Sequence, residues 1–419
     1  MIAILLLLVL VASQLFWLSR VVVLAERLLP GRPRPGWLAL AVGVPYVLVL
    51  VYSFPSLQSC CMGHVFRPAD YRPHSVLIEG VFWWWFVGSL PAFALMIAFS
   101  TVDHAARATV WVYRRARGRG RRRAPPGEER DAPPSSDRRR FIQQAALLLS
   151  ATPFLAAGYG LLVGRLDVEI VRRRIRLARL PKTFERFQLA QLSDVHIGPF
   201  TSAEYIRRCV AITNGLSPHV IVLTGDYINW DQEAVGDVAN ALAGLRAPYG
   251  VFACLGNHEE EGGTEDITTR LFAAAGIRVL RQERAAIQLR GEMLGLAGID
   301  CPRGTTIAEF NGDLVRRLGG LALPDTANIL LSHYPNVFER AAEAGFELTL
   351  AGHTHGGQLS LDFISPGLNL SRYLYRHTSG WHEKDGAQLY VNRGLGTSGL
   401  PIRLGAPPEI TLLELGRMS

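Results

Sequence analysis

The sequence has few charged residues and few cysteines, and both shortages restrict what the protein can be. Charged residues make up 19% of the 419 residues and hydrophobic residues 49%, a balance too apolar for an ordinary soluble protein. The five cysteines show no C-x-x-C spacing, which argues against a thiolate zinc or redox site, and their odd number does not make a disulfide framework. Cys60 and Cys61 could form a redox-active pair, although a small buried hydrophobic role is favoured.

Basic segments with interleaved aromatic residues are also missing, as is any recognisable nucleic-acid-binding module, so we predict no nucleic-acid partner. The formal net charge of +8 comes mostly from arginine. Arginine beside apolar segments is typical of the cytoplasmic flanks of membrane helices or of contact with anionic lipid. The predicted partner is therefore a lipid bilayer.

Long apolar stretches occur within the first 165 residues and predict a membrane region over residues 1–164. A helix needs about 17 to 25 residues to cross the hydrocarbon core, and each stretch has roughly that length. One such stretch could be a buried core helix, but four with almost no charge predict four transmembrane helices. Their expected bounds are about 2–19, 37–53, 80–102 and 141–164.

The distribution of arginine predicts how these helices are oriented. Twelve arginines lie within residues 103–140, whereas residues 54–79 contain only Arg67 and Arg72. By the positive-inside rule the first connection is cytoplasmic, and everything after the fourth helix emerges on the extracytoplasmic face. Proline, glycine, serine and charge are abundant in residues 124–136, so we expect 103–140 to be a disordered basic cytoplasmic loop.

Ahead of the fourth apolar stretch, the segment D-R-R-R-F-I at 137–142 resembles a twin-arginine export signal. Such signals normally open a chain, whereas this one follows three apolar stretches. A basic flank on a membrane helix is an equally good interpretation. No clear A-x-A cleavage site follows, so we expect the fourth helix to remain as an anchor.

After residue 165 short β-branched or apolar runs alternate with helical stretches, which predicts an α/β domain over residues 165–419. Strands are predicted at 187–192, 219–224, 251–255, 293–297, 328–332 and 347–351. Helices are predicted at 203–213, 233–245, 264–275, 307–318 and 336–344. All of these strands except 293–297 run into a polar cluster at their C-terminal end, where open α/β sheets place their sites.

Five polar clusters follow these strands: S-D-V-H at 193–196, G-D-Y at 225–227, G-N-H-E at 256–259, S-H-Y at 332–334 and G-H-T-H-G-G at 352–357. A single cluster of this kind is more often a turn or an ordinary surface histidine. Together they supply carboxylate, imidazole and amide ligands without any thiolate. Alternate positions of an extended strand end share a face, so Asp194 with His196, and His353 with His355, can each direct two ligands into one cavity.

The order of these clusters, D-x-H, G-D, G-N-H-E, H and G-H-T-H, resembles that of the calcineurin-like metallophosphoesterase superfamily. The C-terminal segments V-N-R-G-L-G-T-S at 391–398 and P-I-R-L-G-A-P-P-E at 401–409 resemble its membrane-associated bacterial branch of YkuE/YaeI type. The resemblance covers residues 165–419. It implies a four-layer α/β/β/α metallophosphatase sandwich and does not extend to the first three predicted helices. The four apolar stretches, together with the membrane-associated bacterial branch, predict a multi-pass protein of a bacterial cell membrane.

The resemblance also implies a site for two divalent metal ions. The implied ligands are Asp194, His196 and His355 for the first metal, Asn257, His333 and His353 for the second, and Asp226 as the bridge between them. Asp226 and His258 are the implied catalytic residues, with His258 as the acid that protonates the leaving oxygen or stabilises its charge. Mixed nitrogen and oxygen ligands suit manganese, iron, zinc or cobalt better than calcium or magnesium.

Asn229 and Arg393 lie outside the implied set of metal ligands and catalytic residues. The family often has aspartate where this chain has Asn229, which leaves the metal ligands intact and puts only the support around them in question. Arg393 lies in the glycine-rich C-terminal motif and could bind a substrate phosphate through two parallel hydrogen bonds. A structural salt bridge is an equally good role for that arginine.

We therefore expect a membrane-anchored hydrolase of phosphate esters, with phosphodiesters favoured and lipid head groups or envelope polymers as candidate substrates. In the implied mechanism, two metal ions about 3.5–4 Å apart form a bridging hydroxide for in-line attack on phosphorus. The alternative is a catalytically silent metal- or ligand-binding sensor on the same fold, which would not need to retain His258 beside Asn257. Transport is disfavoured because the apolar stretches contain almost no charge to form a pathway.

Overall fold

The computed structural model describes residues 2–28, 37, 40, 41, 43–49, 76–118, 136–229, 231–302, 307–362 and 364–418. The chain divides into two compact units, residues 1–54 with 78–159 and residues 55–77 with 160–419. Parts of the second predicted span, the Cys60-Cys61 pair and most of the Pro/Gly/Ser-rich segment lie outside the described residues.

Three long helices are described in the membrane-region unit. They are α1 Ile2–Leu28, α2 Val76–Gly118 and α3 Ser136–Tyr159. An aromatic cluster joins them, because the Phe154 ring of α3 lies 5.6 Å from the Trp17 ring of α1 and 5.4 Å from the Trp85 ring of α2. Trp17 also donates its indole N–H to the Ser89 carbonyl at 2.9 Å. Aromatic packing of this kind holds the three helices as one unit.

Within the described residues, two helical segments are long and apolar enough to cross a membrane, Val76–Tyr113 and Gln144–Gly164. They contain or overlap the third and fourth predicted spans. In α1 the apolar segment within the fully described residues is Leu8–Val23, and the described residues between 37 and 49 are helical but incomplete. Four transmembrane helices are therefore not confirmed.

The predicted disordered loop at about 103–140 has wrong bounds, because both of its ends are helical. Helix α2 continues to Gly118, and α3 already begins at Ser136. Alanine and arginine favour helix, and Asp103 pairs with Arg107 one turn later, so the helix continues past its apolar stretch.

The second unit contains two six-stranded mixed sheets. In spatial order, the strands of the first sheet are β1 Glu169–Leu177, β12 Glu409–Arg417, β2 Gln188–Leu192, β3 Val220–Thr224, β4 Val251–Cys254 and β5 Ile277–Val279. Those of the second are β10 Gly380–Lys384, β11 Ala387–Val391, β9 Leu348–Ala351, β8 Asn328–Leu331, β7 Glu292–Gly298 and β6 Glu283–Leu289. Strands β2 to β5 are parallel, as are β7, β8, β9 and β11. The carboxyl ends of parallel neighbours meet at one edge of each sheet.

Helices cover the outer face of each sheet. The helices are α4 Ala203–Gly215, α5 Val235–Leu242, α6 Asn257–Glu261, α7 Glu265–Ala274, α8 Ile307–Leu318 and α9 Phe338–Glu343. Alternation along β3 shows the layering, because Ile221 and Leu223 pack in the cluster that contains α4, α5 and α7. Val220 and Val222 face the other way, into a cluster that contains Ile329 of the second sheet. The layers are therefore helix, sheet, sheet and helix.

Candidate metal centre

Loops that follow strands of both sheets converge on one buried polar site. The loops after β2, β3 and β4 come from the first sheet, and those after β8 and β9 come from the second. Backbone hydrogen bonds join neighbouring loops: the Asp194 N–H donates to the Gly225 carbonyl at 3.0 Å, and the Gly352 N–H donates to the His333 carbonyl at 3.1 Å. The site is thus assembled where the carboxyl edges of the two sheets meet.

One group of possible ligand atoms combines Asp194, His196 and His355, all buried. The Nε2 atoms of His196 and His355 lie 3.1 Å apart, and Nε2 of His355 lies 3.3 Å from Oδ1 of Asp194. Nδ1 of His196 donates to the Ile228 carbonyl at 3.1 Å, which leaves the Nε2 lone pair directed into the site. This is the ligand set predicted for the first metal.

A second group combines Asp226, His333 and His353. Nε2 of His333 lies 3.1 Å from Oδ2 of Asp226 and 3.2 Å from Nδ1 of His353. Nδ1 of His333 faces the Thr224 carbonyl at 2.8 Å. The same Asp226 oxygen lies 3.5 Å from Nε2 of His196, so Asp226 faces both groups, as a bridging ligand must.

Asn257 opens helix α6 directly after the turn at Gly256. Its side-chain Oδ1 is buried and accepts no hydrogen bond, while its amide nitrogen donates to Glu261 at 3.3 Å. An unpaired buried carbonyl costs roughly 1–3 kcal/mol unless a ligand uses its lone pairs. This orphaned oxygen, together with the sulfur-free donor set, fits divalent cations. The assignment of individual ligands to individual ions stays a prediction.

His258 lies beside Asp226 and outside both predicted ligand sets, although it forms a third group of possible ligand atoms with His196 and Asp226. Its backbone N–H donates to Oδ1 of Asp226 at 3.0 Å, and its Nε2 lies 3.7 Å from Oδ2. Its Nδ1 contacts the Asn229 carbonyl, which fixes the ring with Nε2 toward the site. Because residue 229 acts through its backbone, the departure from the family's aspartate does not remove this contact.

Backbone strain is concentrated at the site. Five predicted ligands have positive φ angles, which residues other than glycine seldom adopt: Asp194, His196, Asp226, His353 and His355. Such conformations cost about 1–3 kcal/mol each and persist only where the surrounding structure enforces them. Gly256 and Gly352 make room for this geometry, because a Cβ atom there would lie 2.0 Å from Oδ1 of Asp226 and 2.0 Å from Oγ of Ser193, respectively.

Glu259, which had no predicted role, fixes the loop that carries Asp226. Its fully buried carboxylate accepts backbone N–H groups from Asp226 at 3.0 Å, Tyr227 at 2.8 Å and Gly256 at 2.9 Å. Its place in G-N-H-E is the signal that could have revealed it. The carboxylate thus fixes the turns that carry both Asp226 and Asn257.

Arg403 also had no predicted role, although it belongs to the C-terminal motif that carries the family resemblance. Its side chain is 1% exposed, and its Nη2 lies 3.1 Å from Nδ1 of His355. The same guanidinium donates to the carbonyls of Arg393 at 2.8 Å, Gly396 at 2.6 Å and Ala406 at 3.0 Å. It therefore positions His355 and binds the C-terminal loop to the site.

The predicted substrate ligand Arg393 is engaged by two carboxylates. Its Nε lies 2.5 Å from Glu409 and its Nη2 lies 2.7 Å from Glu169. Glu409 is buried, so the first of these contacts is a structural ion pair of the kind weighed as the alternative. A role in substrate binding stays a prediction.

Electrostatics divide the site into neutral and charged parts. Burial lowers the pKa of His196 to about 3 and that of His355 well below its usual value, so both imidazoles are neutral, the form that can bind a cation. Burial also opposes ionisation of Asp226, but His333 and then His258 outweigh it and lower the Asp226 pKa well below its ordinary value. In turn burial would lower the pKa of His333, yet Asp226 raises it to about 9.

We predict that divalent cations displace a proton from this site. With a pKa of about 9, His333 is protonated at pH 7.5 in the metal-free protein, and a ligand imidazole must be neutral. Affinity should therefore rise with pH until His333 is deprotonated. Titration calorimetry with Mn²⁺ in two buffers of different ionisation enthalpy should give release of at least about one proton per chain, with any further proton coming from metal-bound water. Binding enthalpies that do not depend on the buffer would contradict this picture.

We predict that replacing Arg403 weakens cation binding. Arg403→Met keeps the bulk but removes the contact with His355, and loss of such support typically costs about 10–100-fold in metal affinity. Arg403→Lys should not restore affinity, because the single ammonium group of lysine cannot make the set of hydrogen bonds that the planar guanidinium makes. A competition titration with a fluorescent Mn²⁺ chelator measures this. Arg340→Met, which removes a surface arginine paired with Glu343, is the matched control; an equal affinity for both variants would refute the role.

Comparison with known proteins agrees with this geometry. Residues 187–357 match the family model described as calcineurin-like phosphoesterase. The chain is 31% identical over 285 residues to "Uncharacterized metallophosphoesterase YkuE" of Bacillus subtilis, which covers 66% of this chain and 97% of that relative. It is 30% identical over 290 residues to "Phosphodiesterase YaeI" of Escherichia coli, with 66% and 98% covered. It is also 30% identical over 292 residues to "Transmembrane protein with metallophosphoesterase domain" of Bos taurus, with 66% and 63% covered.

Proposed function

Because the chain belongs to the calcineurin-like phosphoesterase family and is a metal-dependent hydrolase of phosphoric esters, we propose that it is a membrane-anchored phosphodiesterase using two divalent cations. The observation that carries the proposal is the position of Asp226. Its carboxylate lies within 3.5 Å of an imidazole from each group of possible ligands, and His258 lies beside it.

Two cation positions are supported by the group of Asp194, His196 and His355, by the group of Asp226, His333 and His353, and by the orphaned Oδ1 of Asn257. Asp194, His196 and His355 would hold one ion, and Asn257, His333 and His353 the other, with Asp226 between them. Two such ions supply Lewis acidity toward the phosphoryl oxygens and lower the pKa of a water between them. The donor set suits manganese, iron, zinc or cobalt and does not select among them.

His258 is proposed to hold the proton that the leaving oxygen needs. Its Nδ1 is fixed by the Asn229 carbonyl, so Nε2 is the nitrogen that faces the site. A proton at that atom can pass to an alkoxide or phenoxide as the ester bond breaks, or it can stabilise the developing charge by hydrogen bonding. No metal ligand has to change its protonation state in this step.

The preference for diesters is supported by the relative named phosphodiesterase. Membrane anchoring is supported by the two apolar helices and by the relative named as a transmembrane protein. The arginine-rich connection between those helices favours the cytoplasmic side for residues 103–140 and the extracytoplasmic face for the catalytic domain. Lipid head groups and envelope polymers are the phosphodiesters available there.

The proposed activity is tested with the full-length protein in detergent and Mn²⁺. We expect faster hydrolysis of a bis-aryl phosphate than of the corresponding mono-aryl phosphate, and loss of both after chelation. Faster turnover of the monoester would overturn the preference for diesters. Absence of any metal-dependent turnover would favour the alternative, a silent sensor on the same fold.

The role of His258 is tested in the same assay. Removing a general acid typically costs about 10²–10⁴-fold in kcat, so His258→Asn should lose at least about 100-fold while keeping its metal content. His382→Asn, which changes a half-buried histidine on β10, is the control and should keep the wild-type rate. If His258→Asn is as active as the control while fully loaded with metal, the proposed acid is wrong.

A further inference from the structure

Between β9 and β10 the chain forms a loop with a dense set of exposed hydrophobic side chains. Nine large hydrophobic side chains are exposed among the described residues from 165 to 418, and four of them fall within residues 364–374. These four are Ile364, Leu368, Tyr373 and Leu374, with Tyr373 74% and Leu374 80% exposed. Such a concentration on a protein surface marks an interaction site. We call residues 361–375 the apolar loop.

The base of the apolar loop is polar and well bonded, so its hydrophobic side chains are held outward by the fold. Asn369 is fully buried, and its amide donates to the Gly356 carbonyl at 3.2 Å and to Asp362 at 3.0 Å. The Ser371 hydroxyl donates to Oδ1 of Asn369 at 2.6 Å. Apolar side chains that are held rigidly in water are unfavourable, because their surface stays hydrated. The cost is removed when another apolar phase covers them.

The apolar loop is attached directly to the metal centre. Its last residue, Tyr375, packs edge-on against the His353 ring with centroids 5.3 Å apart. At the other end of the turn, Asn369 binds the carbonyl of Gly356, the residue that follows His355. Whatever covers the exposed side chains therefore lies close to the ligands of the site.

The same loop is joined to the point where the chain leaves its apolar helix. The helical segment Gln144–Gly164 ends at a π-helical turn, and the Gly160 carbonyl accepts the Arg403 N–H at 3.2 Å. The next residue, Leu404, bonds the base of the loop: its N–H donates to Gln358 and its carbonyl accepts from Ser360, both at 2.8 Å. Adjacent residues thus connect the end of the candidate membrane span to the apolar loop.

We propose that the apolar loop inserts into the surface of the lipid bilayer that anchors the chain, an inference that rests on the proposed function. Tyr373 and Leu374 would enter the interface between head groups and acyl chains, where aromatic and aliphatic side chains are favoured. Arg372 and Arg376 flank them with side chains 49% and 72% exposed; each is paired with a carboxylate, Asp362 and Glu339 respectively, and would lie at the level of the head groups. The substrates are then phosphodiesters of lipid head groups, presented beside His353.

Insertion is tested with the full-length protein in vesicles of phosphatidylethanolamine and phosphatidylglycerol. In a Cys60→Ser, Cys61→Ser background, Leu374→Cys carries an environment-sensitive dye, since Cys209, Cys254 and Cys301 are buried. Val315→Cys on α8, 58% exposed, is the matched control. Spin-labelled lipid should quench the dye at position 374 at least about twice as strongly as at position 315, and aqueous iodide should show the reverse order.

A dye at position 374 that iodide reaches as readily as at position 315, with no quenching by lipid, would overturn the proposal. So would cross-linking of position 374 to a second copy of the chain, which would make a protein the occupant. These readouts do not depend on hydrolysis, so they stand even if the wild-type protein cleaves no phosphoester, the result that would instead refute the proposed function.

The consequence for substrate choice is measured in the same vesicles. The double variant Tyr373→Ser with Leu374→Ser should lose about tenfold in cleavage of a vesicle-borne phospholipid diester, because two interfacial side chains are removed. Its cleavage of a soluble bis-aryl phosphate should stay within about twofold of wild type, since neither residue contacts a predicted ligand. Equal losses on both substrates would mean that the loop acts on the site and not on lipid access.

Discussion

The catalytic domain depends on one buried carboxylate, Asp226, that lies between imidazoles from both sheets. Its Oδ2 atom is 3.1 Å from His333, 3.5 Å from His196 and 3.7 Å from His258, and the residue is 2% exposed. A buried charge of this kind is tolerated only when partners surround it. In the metal-free protein His333 supplies the main compensating charge. The ionised Asp226 carboxylate and the protonated His333 imidazole stabilise each other.

Most of the surrounding structure can be understood as support for that arrangement. Glu259 fixes the Asp226 turn through backbone N–H groups, Arg403 reaches His355, and backbone carbonyls orient His196, His258 and His333. The strained φ angles at five ligands show that loop conformation is set by the site and not by local preference. The segment that carries His353 and His355 continues into the apolar loop, so one connection between β9 and β10 contributes both to the metal centre and to the proposed membrane contact.

The sequence was most informative where ligands follow strongly apolar strands. All six predicted strands and all five predicted helices of the domain are present, with bounds shifted by a few residues. The convergence of the candidate ligands could be predicted because polar residues after buried strands need partners, while their role as ligands stays a prediction. Six strands of the described domain were not predicted: β1, β5, β6, β10, β11 and β12. Strand β1 was missed because E-I-V-R-R-R-I-R-L, an edge strand with mostly exposed side chains, also suits a basic membrane flank. Glu259 and Arg403 stand inside motifs that the sequence displays, but their contacts with the Asp226 turn and with His355 join segments 33 and 48 residues apart, which no local pattern shows.

The account's central claim is that Asp226 joins two cation positions in one site. Electron paramagnetic resonance of the full-length protein loaded with Mn²⁺ tests this directly, because two ions about 3.5–4 Å apart are magnetically coupled. We predict a coupled two-manganese spectrum at two ions per chain, replaced in Asp226→Asn by the spectrum of isolated Mn²⁺ or by loss of bound metal. An uncoupled spectrum from the fully loaded wild-type protein would contradict the account.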